Sequence, residues 1–209
     1  MLIPRLPFGS NLDEFHLLGT AVSIGWETTS VSFAELDPER DMIVLPGSKH
    51  VAADLGWMRR QGIADAVIDA IDRGVRCIGI CGGAMMLGQS IQDPYGIEGA
   101  AASEVAGLGV LDHDTVMKPI KTTTMSEVEI FGQRYSGYEI RYGHLDPVIE
   151  NGSVTATTVH GLFEHPEFIA QLFGVRVEPV LDRTFEQLAD VIDQHLDTSW
   201  LMSLTQQSR

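Results

Sequence analysis

Cys81 is the residue whose type and setting point most directly to chemistry. An apolar run from Val75 to Ile80 leads into it, and Gly82-Gly83 and a helix-like stretch follow. A strand, a reactive side chain, glycines and a helix in this order are typical of a nucleophile elbow, a sharp turn that exposes the side chain above a sheet. The N–H groups at the start of the following helix favour a thiolate. We therefore predict that Cys81 is a nucleophile.

A cysteine nucleophile needs a base, and His160 has the best context among the seven histidines. It follows the strand pattern of residues 154–159 and precedes Gly161, so we expect it at the carboxyl edge of a parallel sheet, where sites of such folds lie. His165 is the competing candidate, because Glu167 follows it two residues later. A third alternative is that no histidine is catalytic, since most histidines are satisfied core or surface groups.

An oxyanion formed by attack on an acyl carbon needs hydrogen-bond donors. We predict that the N–H of Gly82 is one donor. The N–H of Gly47, in the turn Pro46-Gly47-Ser48 that ends another apolar run, is the predicted second donor. A missing side chain at residue 47 lets the backbone approach a substrate. Ser48 and Gly83 are predicted to contact that substrate.

Composition excludes several classes of function. The 209 residues suffice for one domain with a normal core, and we predict a single domain over residues 1–209. The net charge of −15 disfavours nucleic acid and anionic membranes as partners. No apolar run approaches the roughly 20 residues that span a bilayer. With two cysteines and no secretion signal, the chain is expected to be cytoplasmic.

No bound metal or cofactor is predicted. Histidine, cysteine and carboxylate residues show no metal-ligand spacing, and the pair Cys77 and Cys81 lacks the second pair that a closed zinc site needs. Gly47-Ser48-Lys49 lacks the upstream glycine of a phosphate-binding loop, so we expect no nucleotide hydrolysis. Cys77, inside the strand run, is interpreted as a small buried hydrophobe.

Strand and helix patterns alternate in the first half of the chain. Strand patterns cover residues 41–48 and 75–80, and helix patterns cover residues 52–60 and 63–73. This alternation predicts parallel strands with helices on both faces, a three-layer α/β fold with a mostly parallel central sheet.

The second half is less regular. Residues 93–121 are rich in glycine and turn residues, whereas residues 122–158 alternate like β structure. The apolar stripe of residues 185–196 predicts an amphipathic helix, and the polar tail at 205–209 is expected to fray.

Segments from residue 4 to about residue 200 resemble, in the right order, the glutaminase domain of cobyric acid synthases. The most specific are Pro46-Gly47-Ser48-Lys49, Asp54-Leu55-Gly56-Trp57, Gly79-Ile80-Cys81-Gly82-Gly83, Gly137-Tyr138-Glu139-Ile140 and His160-Gly161-Leu162-Phe163. The resemblance implies a class I (triad-type) glutamine amidotransferase with a flavodoxin-like fold. In that family the cysteine attacks the side-chain amide of L-glutamine and forms a thioester. The ammonia then amidates carboxylates activated by an ATP-dependent synthetase, which in the cobalamin pathway are those of corrinoids.

The chain departs from the family pattern at three points. The synthetase half that the family fuses ahead of this domain is not in this sequence, and Arg141 stands where the family usually has histidine. The acid that many glutaminases carry two residues after the histidine is Leu162 here, so the resemblance favours His160 over His165. The related lipid II-amidating glutaminases use an aspartate in a similar N-terminal segment. By this resemblance, Asp13 is the candidate orienting acid.

Other interpretations stay open. The chain could be a glutaminase subunit for another acceptor, such as a cell-wall precursor. It could also be a non-catalytic scaffold that keeps the fold, or a different cysteine hydrolase with the same elbow.

Overall fold

The computed structural model describes residues 1–99, 102–178 and 180–196, with the backbone alone at 180–183. The strands are β1 Leu2–Pro4, β2 Gly9–Ser10, β3 Gly25–Glu27, β4 Met42–Leu45, β5 Gly47–Ser48, β6 Arg76–Ile80, β7 Ser90–Asp93, β8 Ser103–Ala106, β9 Asp114–Ile130, β10 Gln133–His144, β11 Val148–Asn151 and β12 Val154–Thr157. The α-helices are α1 Val31–Ala34, α2 Val51–Arg60, α3 Ile63–Asp72, α4 Gly82–Leu87, α5 Pro166–Phe173 and α6 Val180–His195. Shorter 3-10 turns cover Leu12–Phe15, Leu18–Thr20 and Leu162–Glu164.

The central sheet has the strand order β11-β12-β6-β4-β1-β3. Every neighbouring pair is parallel except β11 with β12 at one edge. Strand β4 is a continuous apolar run, as expected when both faces of a parallel sheet are covered, and all four of its residues are buried. The predicted α/β fold with a mostly parallel sheet is confirmed.

The carboxyl ends of adjacent central strands lie side by side. Leu45 of β4 is opposite Gly79 of β6, and Ile80 of β6 is opposite Thr157 of β12. The segments that follow these strands therefore leave the sheet at one edge, the position at which open α/β sheets bind ligands.

Helix α4 packs so closely on β4 that only glycine fits at residue 83. A Cβ built on Gly83 would lie 2.0 Å from the carbonyl oxygen of Leu45. Gly83 is therefore required by the contact between helix and strand, which fixes where α4 begins relative to the sheet.

A second sheet, with the order β10-β9-β7-β8, is built on the long hairpin of β9 and β10. The pairing shifts between Arg141, opposite Thr122, and Gly143, opposite Met117, so Tyr142 alone faces residues 118–121. Bulges of this kind bend a strand and redirect its side chains. This one turns the end of β10 toward the carboxyl edge of the central sheet.

The helix predictions for residues 52–60 and 63–73 are confirmed within about one residue, and the predicted C-terminal helix starts earlier, at Val180. The turn-rich expectation for residues 93–121 is wrong in part, because this stretch contains β8 and the first half of β9. The expected fraying of 205–209 falls outside the described residues. None of the helices in the described part of the chain is long and apolar enough to cross a bilayer.

The tight contact at Gly83 gives a stability prediction. Gly83→Ala should lower the free energy of unfolding by about 1 to 3 kcal/mol or more, because the new methyl group has to displace α4 from β4. Urea unfolding followed by circular dichroism measures this. Gly19→Ala is the control, because a Cβ there would meet only the end of Ile24 at 3.6 Å. Equal losses in the two variants would contradict the packing argument.

Candidate active site

Cys81 lies between β6 and α4 in a conformation that few non-glycine residues adopt, with φ 50° and ψ −103°. Its N–H donates to the Thr157 carbonyl at 2.7 Å, and its own carbonyl accepts from the Met85 N–H at 3.0 Å. These bonds tie the turn to β12 on one side and to α4 on the other. The strand, sharp turn and helix of the predicted elbow are therefore present, but the Cys81 side chain lines a pocket and is only 5% exposed, where an exposed side chain was expected.

His160 follows β12 and is held against β10. Its N–H donates to the Tyr138 carbonyl at 2.8 Å, and its carbonyl accepts from the Tyr138 N–H at 3.2 Å. The two rings stack with centroids 5.4 Å apart. A Cβ on Gly137 would lie 2.2 Å from the His160 carbonyl oxygen, so glycine is required where the strand passes the histidine.

The carboxylate next to His160 belongs to Glu14. Its Oε1 lies 3.2 Å from His160 Nδ1, and its Oε2 accepts the Gly161 N–H at 3.0 Å. Glu14 and His160 are each 1% exposed, whereas the predicted Asp13 is exposed to solvent. The carboxylate that contacts the ring is thus that of Glu14 and not, as predicted, that of Asp13, because the turn Leu12–Phe15 directs residue 14 inward.

The charges around His160 favour its protonated form. Burial alone would lower the pKa of the imidazole, but hydrogen bonds and negative charge from Cys81 and Glu14 outweigh burial and raise the pKa to about 10. The ring next to Cys81 is therefore held in its protonated form.

The register of β2 with β5 decides which amide can serve an oxyanion. Ser10 is opposite Gly47, and the Lys49 N–H donates to the Phe8 carbonyl at 2.9 Å two residues along the same ladder. Hydrogen-bonded pairs recur every second residue in an antiparallel ladder. The Gly47 N–H is therefore directed at Ser10, away from the position predicted for it.

Ser48 replaces Gly47 as the amide beside the elbow. A Cβ on Gly82 would lie 2.7 Å from the Ser48 backbone nitrogen, so the Ser48 and Gly82 amides belong to backbones in direct contact. A Cβ on Gly47 would lie 2.8 Å from His160 Cε1. Gly47 therefore makes room for the ring.

Asp54 of α2 holds this strand pair in place. Its Oδ2 accepts the Ser48 hydroxyl at 2.6 Å and its Oδ1 accepts the Phe8 N–H at 3.0 Å. The side chain is fully buried, and burial raises the pKa of Asp54 against the effect of these two hydrogen bonds. The Ser48 hydroxyl is thus committed to Asp54, although Ser48 also lines the pocket.

The pocket at Cys81 has a volume of about 160 Å³. It is smaller than the roughly 300 to 1,000 Å³ of sites for drug-sized ligands. Glu98 lies on its wall together with Lys121 and Arg141. Burial raises the pKa of Glu98, although its Oε2 accepts the Ala52 N–H at 3.1 Å. A small ligand with both an ammonium and a carboxylate group fits this distribution of charge.

Arg141 is part of a buried polar network. Its Nε donates to Glu139 Oε2 at 2.5 Å and its Nη1 donates to the Gly143 carbonyl at 2.5 Å. Glu139 also accepts from the hydroxyls of Thr158 at 2.7 Å and Ser126 at 2.8 Å. Burial alone would raise the pKa of Glu139, but these donors lower it below its usual value. The guanidinium is therefore fixed at the pocket wall.

The remaining sequence candidates lie elsewhere. Cys77 is buried, as predicted, and burial raises the pKa of its thiol to about 12. His165 Nε2 contacts the Ser136 carbonyl at 2.7 Å and lies outside the pocket lining. Gly83, a predicted substrate contact, packs on Leu45. In the parts of the chain that the structure describes, no three His, Cys, Asp or Glu side chains are arranged to hold a metal ion.

Sequence reasoning missed three residues of this site. Glu14 is the residue after the predicted Asp13. The two acids differ only in that the turn of their segment directs Glu14 inward. Asp54 lies in a segment that resembles the family, but nothing in the local sequence shows that Asp54 is buried or that Glu98 is half-buried at the pocket wall.

The fold is that of class I glutamine amidotransferases. A solved structure described as a glutamine amidotransferase superposes with a TM-score of 0.61 at 19% identity, covering 83% of this chain and 99% of that one. The structure of PurLQS from Thermotoga maritima gives a TM-score of 0.51 at 14% identity, covering 78% and 87%.

Residues 1–148 match the CobB/CobQ-like glutamine amidotransferase domain family, and this chain belongs to that family. A cobyric acid synthase of Deinococcus radiodurans is 42% identical over 183 residues, covering 80% of this chain and 37% of that protein. Another, from Polaromonas sp., is 35% identical over 234 residues, covering 96% and 44%. The chain thus spans less than half the length of these curated relatives.

The contact between Glu14 and His160 gives a pH prediction. Glu14→Gln removes a negative charge from Nδ1, so the pKa of His160 should fall by about one pH unit or more. Protonation of His160 would then be lost at lower pH than in the wild type. Titration of the ring ¹⁵N resonances measures the shift. Asp13→Asn, one residue away and exposed, should leave the titration nearly unchanged, and a larger shift in that variant would restore Asp13 as the orienting acid.

Proposed function

We propose that this chain hydrolyses L-glutamine to glutamate and ammonia, with Cys81 as the nucleophile and His160 as the proton carrier. The observation that carries the proposal is the interaction of His160 with buried Glu14 on one side and with Cys81, which lines the pocket, on the other. Membership in a glutamine amidotransferase family supports the choice of substrate.

The first half of the reaction forms a thioester. The Cys81 thiolate attacks the side-chain carbonyl carbon of glutamine, and the carbonyl oxygen becomes an oxyanion next to the amides of Ser48 and Gly82. His160 then passes its Nε2 proton to the amide nitrogen. The C–N bond breaks, ammonia leaves, and His160 is neutral.

The second half restores the enzyme. Neutral His160 takes a proton from water at Nε2, and the resulting hydroxide adds to the thioester carbon. The C–S bond breaks, the sulfur leaves as a thiolate, and His160 is again an imidazolium. The new side-chain carboxylic acid gives its proton to solvent and departs as glutamate, so one water is consumed for each ammonia released. Glu14 keeps the other ring nitrogen, Nδ1, protonated and the ring in one orientation throughout.

Glutamine recognition is assigned to the charged wall of the pocket. Glu98 is placed to receive the α-ammonium group, and Arg141 with Lys121 is placed to receive the α-carboxylate. Arg141 is preorganised for this by Glu139, so little conformational entropy is lost when the substrate binds.

Ammonia from this site would serve an ATP-dependent synthetase. The curated relatives are named cobyric acid synthases and are more than twice as long as the part of them that this chain matches. We propose that the acceptor carboxylates are those of a corrinoid in cobalamin biosynthesis, with a cell-wall precursor as the alternative acceptor. Activity without the synthetase should be low, since sites of this kind are often completed by a partner.

Removal of the nucleophile tests the activity itself. Cys81→Ala should abolish glutamate release from glutamine, because no other side chain at the elbow can form the thioester. Cys77→Ala should keep most of the activity, because that thiol is buried and inert. A coupled glutamate dehydrogenase assay measures both variants. Equal activity in the two would refute the mechanism.

Alkylation of Cys81 separates the other interpretations. An electrophile that mimics glutamine should alkylate Cys81, and glutamine should block the reaction. A scaffold protein would show no modification, whereas another cysteine hydrolase would be modified whether or not glutamine is present.

Substrate recognition is tested at Glu98. Glu98→Gln should raise KM for glutamine by about tenfold or more with a smaller change in kcat, because a charged hydrogen bond to the α-ammonium group is lost. Glu104→Gln removes an exposed carboxylate on β8 and should leave KM unchanged. A drop in kcat at constant KM for Glu98→Gln would instead give Glu98 a role in the chemical steps.

A further inference from the structure

Both ring nitrogens of His160 have side-chain partners. Glu14 contacts Nδ1, and the carboxamide nitrogen of Asn11 lies 3.0 Å from Nε2. Nε2 is the nitrogen that exchanges protons in the proposed reaction. Asn11 also lines the pocket that contains Cys81. A neutral amide therefore contacts the one nitrogen whose protonation state changes.

The backbone of Asn11 is shaped for this contact. Its φ of 54° and ψ of 38° place it in the left-handed region, which asparagine tolerates better than most residues. It stands between β2, which is paired with β5, and the turn that carries Glu14. One short segment thus supplies the partners on both sides of the imidazole, and Asp54 anchors its start through the Phe8 N–H.

The two partners of the ring have different capacities. A carboxylate can only accept hydrogen bonds, so Glu14 keeps the proton on Nδ1 in both states of His160. Nε2 then accepts a hydrogen bond when it is bare and donates one when it is protonated. A carboxamide can meet both needs, because it donates through nitrogen and accepts through oxygen. Rotation about the terminal Cβ–Cγ bond, whose torsional preference is broad, exchanges the two.

We propose that Asn11 is a positioning residue whose carboxamide follows the protonation state of His160 Nε2. It donates through Nδ2 to the bare nitrogen and, after rotation, accepts through Oδ1 from the protonated nitrogen. The ring is thereby held in one orientation through both halves of the reaction. This inference rests on the proposed glutaminase function for its catalytic consequence, but the contact itself can be tested without turnover.

Asn11 is a neutral partner in a negative environment. Glu14 and the Cys81 sulfur face the ring directly, Tyr138 stacks on it, and Glu164 and Asp13 lie close enough to Glu14 and Tyr138 to influence their electrostatics. A further negative charge at Nε2 would hold the proton there. Neutral His160, which has to activate water in the second half-reaction, would then form less readily.

Two substitutions in the full chain test the proposal. Asn11→Asp keeps the shape but can only accept, and Asn11→Gly removes the side chain while glycine relaxes the left-handed backbone, so folding is retained. Leu12→Ala, at a neighbouring residue that is 38% exposed, is the control. The measurements are the pH titration of the His160 ring ¹⁵N resonances, the rate of glutamate release, and the fraction of Cys81 that carries a γ-glutamyl group during turnover.

Asn11→Asp and Asn11→Gly should affect different quantities. Asn11→Asp should raise the pKa of His160 by about one pH unit or more and make the thioester accumulate, because water activation becomes slow. Asn11→Gly should reduce kcat by about tenfold to a hundredfold without raising that pKa, because the ring is less well oriented. Leu12→Ala should match the wild type in all three measurements.

The outcomes separate this inference from the proposed function. If the wild-type chain releases no glutamate and glutamine does not block alkylation of Cys81, while the Asn11 side-chain amide resonances titrate together with His160, the glutaminase function is wrong and the contact stands. If the chain is active but Asn11→Gly changes neither the Nε2 resonance nor kcat, the inference is wrong. Equal pKa values in Asn11→Asp and the wild type would overturn it as well.

Discussion

The buried contact between Glu14 and His160 is the interaction on which the rest of the site depends. Both groups are almost completely withdrawn from water, and removal of one partner from such a pair typically costs about 3 to 5 kcal/mol, because the other charge is left uncompensated. The contact joins residues 146 positions apart in the chain. It therefore fastens the N-terminal segment, which has little regular structure of its own, to the carboxyl end of β12. The same two side chains thus maintain the tertiary structure and would orient the ring for the proposed reaction.

Three layers of support converge on that contact. The parallel strands bring Cys81 and the segment of His160 to one edge of the sheet, and the second sheet holds the histidine backbone through Tyr138. Asp54, projecting from α2, pins β5 to the segment of β2, which leads into the turn that carries Glu14. Because each support comes from a different element, small shifts of any one element are resisted by the others. This is the physical basis for a preorganised site in which little has to move when charge develops.

Local patterns were sufficient for the elbow and the central sheet, because both are encoded within short windows of sequence. The apolar run into Cys81-Gly82-Gly83 specifies strand, turn and helix without reference to the rest of the chain. Glu14 could not be found in this way, since Asp13 and Glu14 are equivalent by type and only a long-range contact selects between them. The donor amide was assigned to Gly47 for a similar reason, as strand register is set by pairing partners. The first half of β9 escaped detection because Pro119 and its neighbours face the bulge, where hydrophobic alternation is lost.

The backbone at Cys81 holds a residue with a side chain in a conformation that favours glycine. A side chain held at φ 50° and ψ −103° carries a conformational penalty of about 1 to 3 kcal/mol, which a residue without Cβ would escape. Selection for folding alone would therefore favour glycine at this position. The proposed role as a nucleophile accounts for a cysteine at this position, where a thiol is gained at the expense of the stability of the whole molecule.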